Sequence, residues 1–216
     1  MLIHIFDCDG VITDTNSIKT EAFESVANQF LSKEAKELLL NYHHSNGGRS
    51  RWEKFNYVKN FFRNEELDIN LLCQKYSSFV ERNMYKKILI PGIKNYIKFI
   101  INNTKDNCFV ASAGEVSQVQ RLLNHHNIGI EKDNIYGSPT PKINIVKELK
   151  KDYPHQKIIF YGDSVHDAEC AEIIGAKFVF ISGYTNVAFQ NICNKFNIEL
   201  SSNDFENFEY SKLNLL

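Results

Sequence analysis

Residues 2–11 read LIHIFDCDGV, an apolar run that ends in two acids and a glycine. The run Leu2 to Phe6 lacks polar alternation and is rich in branched and aromatic side chains, which favours a strand buried on both faces of a parallel sheet. Three further runs have the same character: Cys108 to Ala111, Ile158 to Tyr161 and Phe178 to Ile181. We therefore expect at least four buried strands.

Helical periodicity fills the intervals between these runs. Val116, Val119 and Leu122, for example, form one apolar stripe at helical spacing. Strands that alternate with helices indicate βαβ units. The predicted fold class is therefore α/β, a Rossmann-like core with a parallel sheet.

One interval departs from this alternation. Between residues 14 and 88 no strand-like run occurs, whereas apolar residues recur every four positions from Ile18 onward. We expect residues 14–88 to form an inserted α-helical cap domain, and residues 1–13 and 89–216 to form the Rossmann-like catalytic core. The tail from Ser201 is expected to be a loosely packed terminal element.

Composition and charge narrow the possible partners. The 25 Lys and Arg residues balance 26 Asp and Glu residues, so we expect no nucleic-acid partner and no anionic membrane surface. No stretch approaches 18 apolar residues, and residues 1–10 lack the basic and long apolar regions of a signal peptide. The five cysteines are widely spaced without a CxxC pair, which favours reduced thiols and disfavours zinc. The expectation is a cytoplasmic protein, a monomer or a weak homodimer.

The first strand ends in two acids, Asp7 and Asp9. Residues two apart in a strand share a face, and Gly10 allows the chain to turn, so both carboxylates can crowd one point at the carboxyl edge of the sheet. Two anions that close together need a cation. Taken alone, the motif is equally typical of a solvated acidic turn.

A second acidic motif, GDSVHD at residues 162–167, also follows a predicted strand. Asp163 and Asp167 are four residues apart, which places them on one helical face. Four carboxylates at strand ends would repel one another without a divalent ion, and an all-oxygen ligand set suits Mg²⁺. Helix-capping preference would explain Asp163 alone, but not its pairing with Asp7 and Asp9.

Two other polar segments suit an anion. Ser112 ends a strand and precedes the small residues Ala113 and Gly114, whose amides can approach an anion at a helix start. A plain N-cap role would place a serine there equally well. Lys142 follows two prolines at the opening of a helix, where a cation is unfavourable with the helix dipole. That placement indicates an anionic partner.

In order and spacing, these four segments resemble the motif set of the haloacid dehalogenase superfamily. The resemblance implies that Asp7 is the catalytic nucleophile and Asp9 the general acid and base. It also implies that Ser112, Ala113 and Lys142 bind the phosphoryl group.

The same resemblance implies a magnesium site and a cap type. Asp7, the backbone carbonyl of Asp9, and Asp163 would bind Mg²⁺, and Asp167 would support the metal site. The insertion after the first motif is similar to the helical C1 cap of the subgroup that contains phosphoglycolate phosphatase and β-phosphoglucomutase.

An acid two residues after the nucleophile favours phosphate esters, because relatives that cleave carbon–halogen or carbon–phosphorus bonds typically lack it. We expect a magnesium-dependent phosphatase that hydrolyses a small phosphorylated metabolite, preferably a sugar phosphate, through an aspartyl phosphate. Three alternatives stay open: a β-phosphoglucomutase-like sugar phosphomutase, a phosphatase for a phosphorylated nucleotide intermediate, and a non-catalytic ligand-binding homologue. Lys19 stands where the mutase has a histidine, which disfavours the first.

Caps of this kind supply the substrate contacts, and Lys19, Arg49 and Arg51 are the candidates for them. Glycines followed by two arginines suit an anion or a sugar hydroxyl, although a helix start with exposed basic residues gives the same pattern. Adjacent histidines point to different faces of a helix, so we expect His43 and His44 to be polar helix residues and not metal ligands.

Overall fold

The computed structural model contains six described strands that form one sheet. They are β1 (Leu2–Phe6), β2 (Asn107–Glu115), β3 (Ile135–Ser138), β4 (Lys157–Gly162), β5 (Lys177–Ile181) and β6 (Leu200–Ser202). All neighbouring pairs are parallel, in the order β3-β2-β1-β4-β5-β6. The structure describes residues 1–185, 187, 189–196, 198 and 200–215.

Helices occupy most of the intervals between strands. They are α1 (Asn16–Phe30), α2 (Lys33–Ser45), α3 (Arg51–Phe62), α4 (Ile69–Met84), α5 (Ile93–Asn103), α6 (Val116–His125), α7 (Lys142–Asp152), α8 (Val165–Ile173) and α9 (Phe189–Cys193). Short 3₁₀ turns lie at Lys132–Asn134 and Tyr210–Leu215. No helix in the described ranges is long and apolar enough to cross a bilayer.

β1 lies at the centre of the sheet because both of its faces are apolar. Its residues alternate between the faces: Ile3 and Ile5 pack with α7 and α8, and Phe6 packs with α5 and α6. Burying each such side chain contributes roughly 1.5–3 kcal/mol to folding. The four predicted runs are confirmed as strands, and the α/β fold class is confirmed with them. Two edge strands, β3 and β6, were not predicted.

Between β1 and α5 the chain forms only helices among its described elements, α1 to α4, which we call the four-helix segment (residues 16–84). The outgoing and returning chains pair with each other: Ile90 N donates to Ile12 O (2.9 Å), and Asp14 N donates to Ile88 O (3.1 Å). These two hydrogen-bonded stretches of chain, which we call the double connection, join the four-helix segment to the sheet. The division of the chain at residues 13/14 and 88/89 stays a prediction.

The C-terminal segment is not loosely packed, and that expectation was wrong. Phe205 and Phe208 are buried against Tyr96 and Tyr161, with ring centroids 5.2–6.2 Å apart. Phe205 N also donates to Pro91 O (2.9 Å), at the end of the returning connection. Phe205 and Phe208 thus belong to the core, and this segment packs against the double connection.

Candidate active site

The site begins where β1 ends. The backbone amide of Asp7 donates to Tyr161 O (2.9 Å), which fixes the acid at the carboxyl edge of the sheet. Gly10 then turns the chain with φ +79°, a conformation that favours glycine. A Cβ atom at Gly10 would lie 2.3 Å from Asp163 Oδ2, so the close approach also requires glycine. The turn therefore brings the two acidic motifs together.

Three carboxylates meet at this edge: Asp7, Asp163 and Asp167. Each offers an oxygen within 4.8 Å of the other two, and all three are buried. Asp163 lies between β4 and α8, and Ser164 is the N-cap of α8. The prediction that Asp163 and Asp167 share one helical face was therefore wrong, because Asp163 precedes the helix.

Asp167 organises the loop after β4. Its Oδ2 accepts hydrogen bonds from the Asp163 amide (3.2 Å), the Ser164 amide (3.1 Å) and the Ser164 hydroxyl (2.6 Å). Ser164 Oγ accepts the Asp167 amide in return, which completes a capping box. One side chain thus fixes both the start of α8 and the position of Asp163.

Lys142 is the cation of the cluster. It is the first residue of α7, it is buried, and its Nζ donates to Asp7 Oδ1 (2.8 Å) and Asp167 Oδ1 (2.6 Å). Burial alone would lower the pKa of Lys142, but the charges of Asp167 and Asp7 outweigh it and the pKa lies above the ordinary value. The unfavourable position at a helix start is therefore offset by two of the chain's own carboxylates.

The cluster retains room for a second cation. When ionised, three carboxylates face one ammonium group, so two negative charges remain. Burial, followed by the charge of Asp167, raises the pKa of Asp163 well above its ordinary value, and burial raises that of Asp7 to about 7. In the described part of the chain, the hydrogen bond to the Asp163 carboxylate comes from Asn16 Nδ2 (2.8 Å). A buried all-oxygen set with excess negative charge fits Mg²⁺.

Asp9 stands apart from the three-carboxylate cluster. Its carboxylate accepts hydrogen bonds from Lys19 Nζ and Thr15 Oγ1, both in or next to α1. Burial would raise the pKa of Asp9, but the charge and hydrogen bond of Lys19 and the hydroxyl of Thr15 outweigh it, so the pKa is lowered. The expectation that four carboxylate side chains converge was therefore wrong for Asp9, because Lys19 holds its side chain toward the four-helix segment.

Ser112 and Ala113 lie within β2, and α6 begins only at Val116. The predicted helix start at Ser112, and its alternative role as an N-cap, were therefore wrong; the N-cap residue is Glu115. Ser112 Oγ is buried, accepts the Gly114 amide (2.9 Å) and lies 3.5 Å from Asp9 Oδ2. Ser112 thus contacts the predicted general acid rather than the cluster.

The two cap arginines have partners within the chain. Arg49 is about one-third exposed and pairs with Glu53 (3.2 Å) and Glu169 (3.6 Å). Arg51 is buried, as the first residue of α3, and contacts Gln118 (3.1 Å) and Glu115 (3.6 Å). The alternative of a helix start is confirmed at Arg51, but its side chain is buried and not exposed.

One cavity of about 110 Å³ lies between the acids at the sheet edge and the basic residues of the four-helix segment. Its sheet end includes Asp7, Asp9 and Asp163, and its helical end is formed by the four-helix segment, where His43 and Lys54 also line it. The cavity therefore presents carboxylates at one end and cations at the other.

Sequence reasoning missed Lys54, Thr15 and Asn16 as residues of the site. Lys54 follows Arg51 by three residues, so helical spacing could have placed both on one face of α3. Nothing in the sequence indicates that His43 on α2 lies 2.9 Å from Lys54 Nζ. That contact depends on how α2 packs against α3.

A family model for haloacid dehalogenase-like hydrolases matches residues 4–181. The chain therefore belongs to the haloacid dehalogenase-like hydrolase family. No curated protein of similar sequence was found.

Solved structures share the whole fold at low sequence identity. A hydrolase from Pseudomonas syringae is 16% identical with a TM-score of 0.79, covering 100% of this chain and 99% of its own. β-Phosphoglucomutase from Clostridium difficile is 20% identical with a TM-score of 0.73, covering 100% and 96%. A predicted phosphatase from Clostridium acetobutylicum is 17% identical with a TM-score of 0.75, covering 99% and 98%. At these identities the comparison establishes the fold alone.

Proposed function

We propose that this chain is a magnesium-dependent phosphatase that hydrolyses a small phosphorylated metabolite through an aspartyl phosphate. The observation that carries the proposal is the separation of two neighbouring acids. Asp7 is held by Lys142 at the sheet edge, whereas Asp9 is held by Lys19 and Thr15 toward the helical end. Two carboxylates in one cavity with different partners are suited to different roles.

In the first step, an Asp7 carboxylate oxygen attacks phosphorus, and the bond from phosphorus to the leaving oxygen breaks. Asp9 gives that oxygen a proton, so the leaving group departs as a neutral alcohol. Lys142 faces the oxygens of the transferring group and offsets their charge. Splitting hydrolysis into two steps lowers the barrier for a very inert ester.

In the second step, water attacks phosphorus while Asp9 accepts its proton, and the bond from phosphorus to Asp7 breaks. The charge of Lys19 lowers the pKa of Asp9, which favours the ionised form that this step requires. For the first step Asp9 must carry a proton, so the ion pair between Lys19 and the Asp9 carboxylate has to break first. Lys19 belongs to α1, just beyond the double connection, so a movement of the four-helix segment would break this ion pair.

The residues present fit a magnesium ion. We propose that Asp7, Asp163 and the backbone carbonyl of Asp9 hold it, and that Asp167 acts by positioning Asp163 and Lys142. A bound magnesium ion would neutralise charge on the phosphoryl oxygens. Ser112 and Ala113 are proposed to contact the phosphoryl group from β2.

The leaving group of the substrate is proposed to occupy the helical end of the cavity, where Lys19, Arg49 and Arg51 are candidate contacts. A sugar phosphate is the preferred substrate class. From composition, we propose a cytoplasmic protein that is a monomer or a weak homodimer.

The test is phosphate release from a panel of phosphorylated metabolites and one aryl phosphate, each with magnesium and with excess chelator. We expect release with magnesium and its loss with chelator. Accumulation of an isomeric sugar phosphate without free phosphate would assign the chain to the mutases instead. If neither product forms on any compound, the proposal is wrong.

A further inference from the structure

The helical end of the cavity contains a buried cation that the proposed mechanism does not use. Lys54 lies on α3, its residue is 3% exposed, and it lines the cavity. Its Nζ lies 2.9 Å from His43 Nδ1 and 5.3 Å from the centre of the Phe23 ring. Within the described part of the chain, no carboxylate lies within 4.0 Å of Lys54 Nζ.

The neighbouring cations differ from Lys54 because each has an acid of its own. Lys19 pairs with Asp9, and Arg51 pairs with Glu115. A buried charge without a partner is costly to fold, so a partner supplied by a ligand is a physical reason to retain one. Of these three cations, Lys54 is the one without a carboxylate partner in the described part of the chain.

A hydrogen-bonded chain holds Lys54 in place. An ammonium group can only donate, so the charged Lys54 makes His43 Nδ1 an acceptor and leaves the proton on Nε2. Nε2 lies 2.9 Å from Thr20 Oγ1, which in turn donates to Asn16 O (3.3 Å). The imidazole therefore occupies one of the three donor positions of Lys54, and in the described part of the chain no protein acceptor occupies the other two.

The position of Lys54 points to the leaving group rather than to the transferring phosphoryl group. The phosphoryl group belongs beside Asp7, where Lys142 already makes two ion pairs. Lys54 and Asp9 line the same cavity, and Asp9 is the proposed proton donor to the leaving oxygen. Lys54 thus belongs to the four-helix segment that lines the cavity, whereas Lys142 is held by Asp7 and Asp167 at the sheet edge.

We propose that Lys54, oriented by His43, binds a second anionic group, a carboxylate or a phosphate, on the leaving group of the substrate. The inference rests on the proposed phosphatase function and narrows its substrate class to phosphate esters that carry a further negative charge. Inside a cavity of low dielectric, pairing with that group would offset the burial of Lys54.

The experiment uses a homologous series of alkyl phosphates of two to six carbons whose far end is a carboxylate, a phosphate, a hydroxyl or an ammonium group. We expect kcat/KM for the best carboxylate or phosphate compound to exceed that for the hydroxyl compound of equal length by about tenfold or more. Comparing the carboxylate compounds with the phosphate compounds shows which of the two anionic groups the site prefers. A preference for the hydroxyl or ammonium compounds would overturn the proposal.

Three variants assign the preference to Lys54. Lys54→Met should lower the ratio of anionic to hydroxyl kcat/KM at least tenfold, and Lys54→Gln provides the same test if the first variant does not fold. Lys54→Arg should retain part of the preference. The matched control is Lys75→Met, an exposed lysine of α4 that is absent from the cavity lining and should keep the ratio of the unmodified protein. An equal loss on both substrates with Lys54→Met would overturn the proposal.

A binding measurement separates this inference from the phosphatase proposal. Calorimetric titration with malonate, without magnesium, should show binding that Lys54→Met weakens and Lys75→Met does not. If malonate binds in this way but no compound is hydrolysed, the phosphatase proposal fails and the anion site stands. If phosphate is released but neither the substrate ratio nor malonate binding depends on Lys54, the anion site fails alone.

Discussion

Two buried lysines of the site have opposite surroundings, and of the two Lys54 lines the cavity. At the sheet end, Lys142 lies between Asp7 and Asp167, with both ion pairs below 3 Å. At the helical end, Lys54 faces a neutral imidazole and an aromatic ring. The charge of Lys142 is neutralised by carboxylates of the chain itself as soon as the chain folds. A cation whose partner is missing from the fold depends on what enters the cavity.

The largest expected effect is at the sheet end. Asp7→Asn should reduce turnover by several powers of ten, because an amide cannot act as the nucleophile. The change preserves side-chain size, and Lys142 keeps its contact with Asp167. Steady-state phosphate release measures the loss, with thermal unfolding as a check on folding. Near-normal turnover in this variant would exclude the covalent mechanism.

Asp9→Asn should have the next largest effect. Loss of both the acid and the base function could lower turnover by about two to four powers of ten. Magnesium binding should persist, because the metal contact is expected from the backbone carbonyl. Calorimetric titration with magnesium, together with the rate measurement, tests whether the Asp9 side chain serves proton transfer and not metal binding. Abolished magnesium binding would contradict it.

Matched lysine-to-methionine changes should move stability in opposite directions at the two ends. Lys142→Met leaves buried carboxylates without their cation and should lower the free energy of unfolding by about 3–5 kcal/mol. Lys54→Met removes a buried cation that lacks a carboxylate and should leave stability unchanged or raise it. Urea unfolding in the absence of magnesium measures both.

Lys75→Met serves as the control for these two changes, and it should stay within about 0.5 kcal/mol of the unmodified protein. Equal destabilisation by the changes at Lys142 and Lys54 would contradict the contrast between the two ends.

The smallest expected effect is a pH dependence of stability that comes from Lys54. Burial, followed by the charge of Lys19, lowers the pKa of Lys54 from 10.5 to about 7 in the folded chain. The unfolded chain therefore binds more protons above pH 7, and the folded state gains stability as pH rises, by up to about 2 kcal/mol between pH 7 and 9. His43, with a pKa lowered to about 3, stays neutral in this range.

The measurement is the difference in free energy of unfolding between Lys54→Met and the unmodified protein at pH 6 and pH 9. Lys54→Met should be relatively more stable at pH 6, and the difference should shrink at pH 9. A difference that is independent of pH would mean that Lys54 keeps an ordinary pKa in the fold.

The centre of the sheet could be predicted because its strands are buried on both faces and therefore read as unbroken apolar runs. The edge strands carry no such signal: β3 contains Gly137 and Ser138, and β6 is three residues long. The tail was misjudged for a related reason. Its aromatic residues have no period, so their burial against Tyr96 depends on packing that no local pattern encodes.

The residues of the site likewise fall into those that could be predicted from the sequence and those that depend on packing. The rule that parallel strands end at one edge predicted that Asp7 and Asp163 would lie near each other, and the structure brings them together. The same rule placed the Asp9 side chain with them, because strand geometry contains no information about Lys19 across the double connection. Lys54 and His43 meet only through the packing of two helices, which local sequence does not specify.

The central position of β1 has a consequence for biosynthesis. β1 pairs with β2 and β4, whose first residues are Asn107 and Lys157, so its neighbours leave the ribosome long after it does. At about 5–20 residues per second, the roughly 100 residues between β1 and β2 take about 5–20 s to translate. Until β2 emerges, the apolar strand has no neighbour to pair with, and a chaperone that binds extended apolar segments would find its target at Leu2–Phe6.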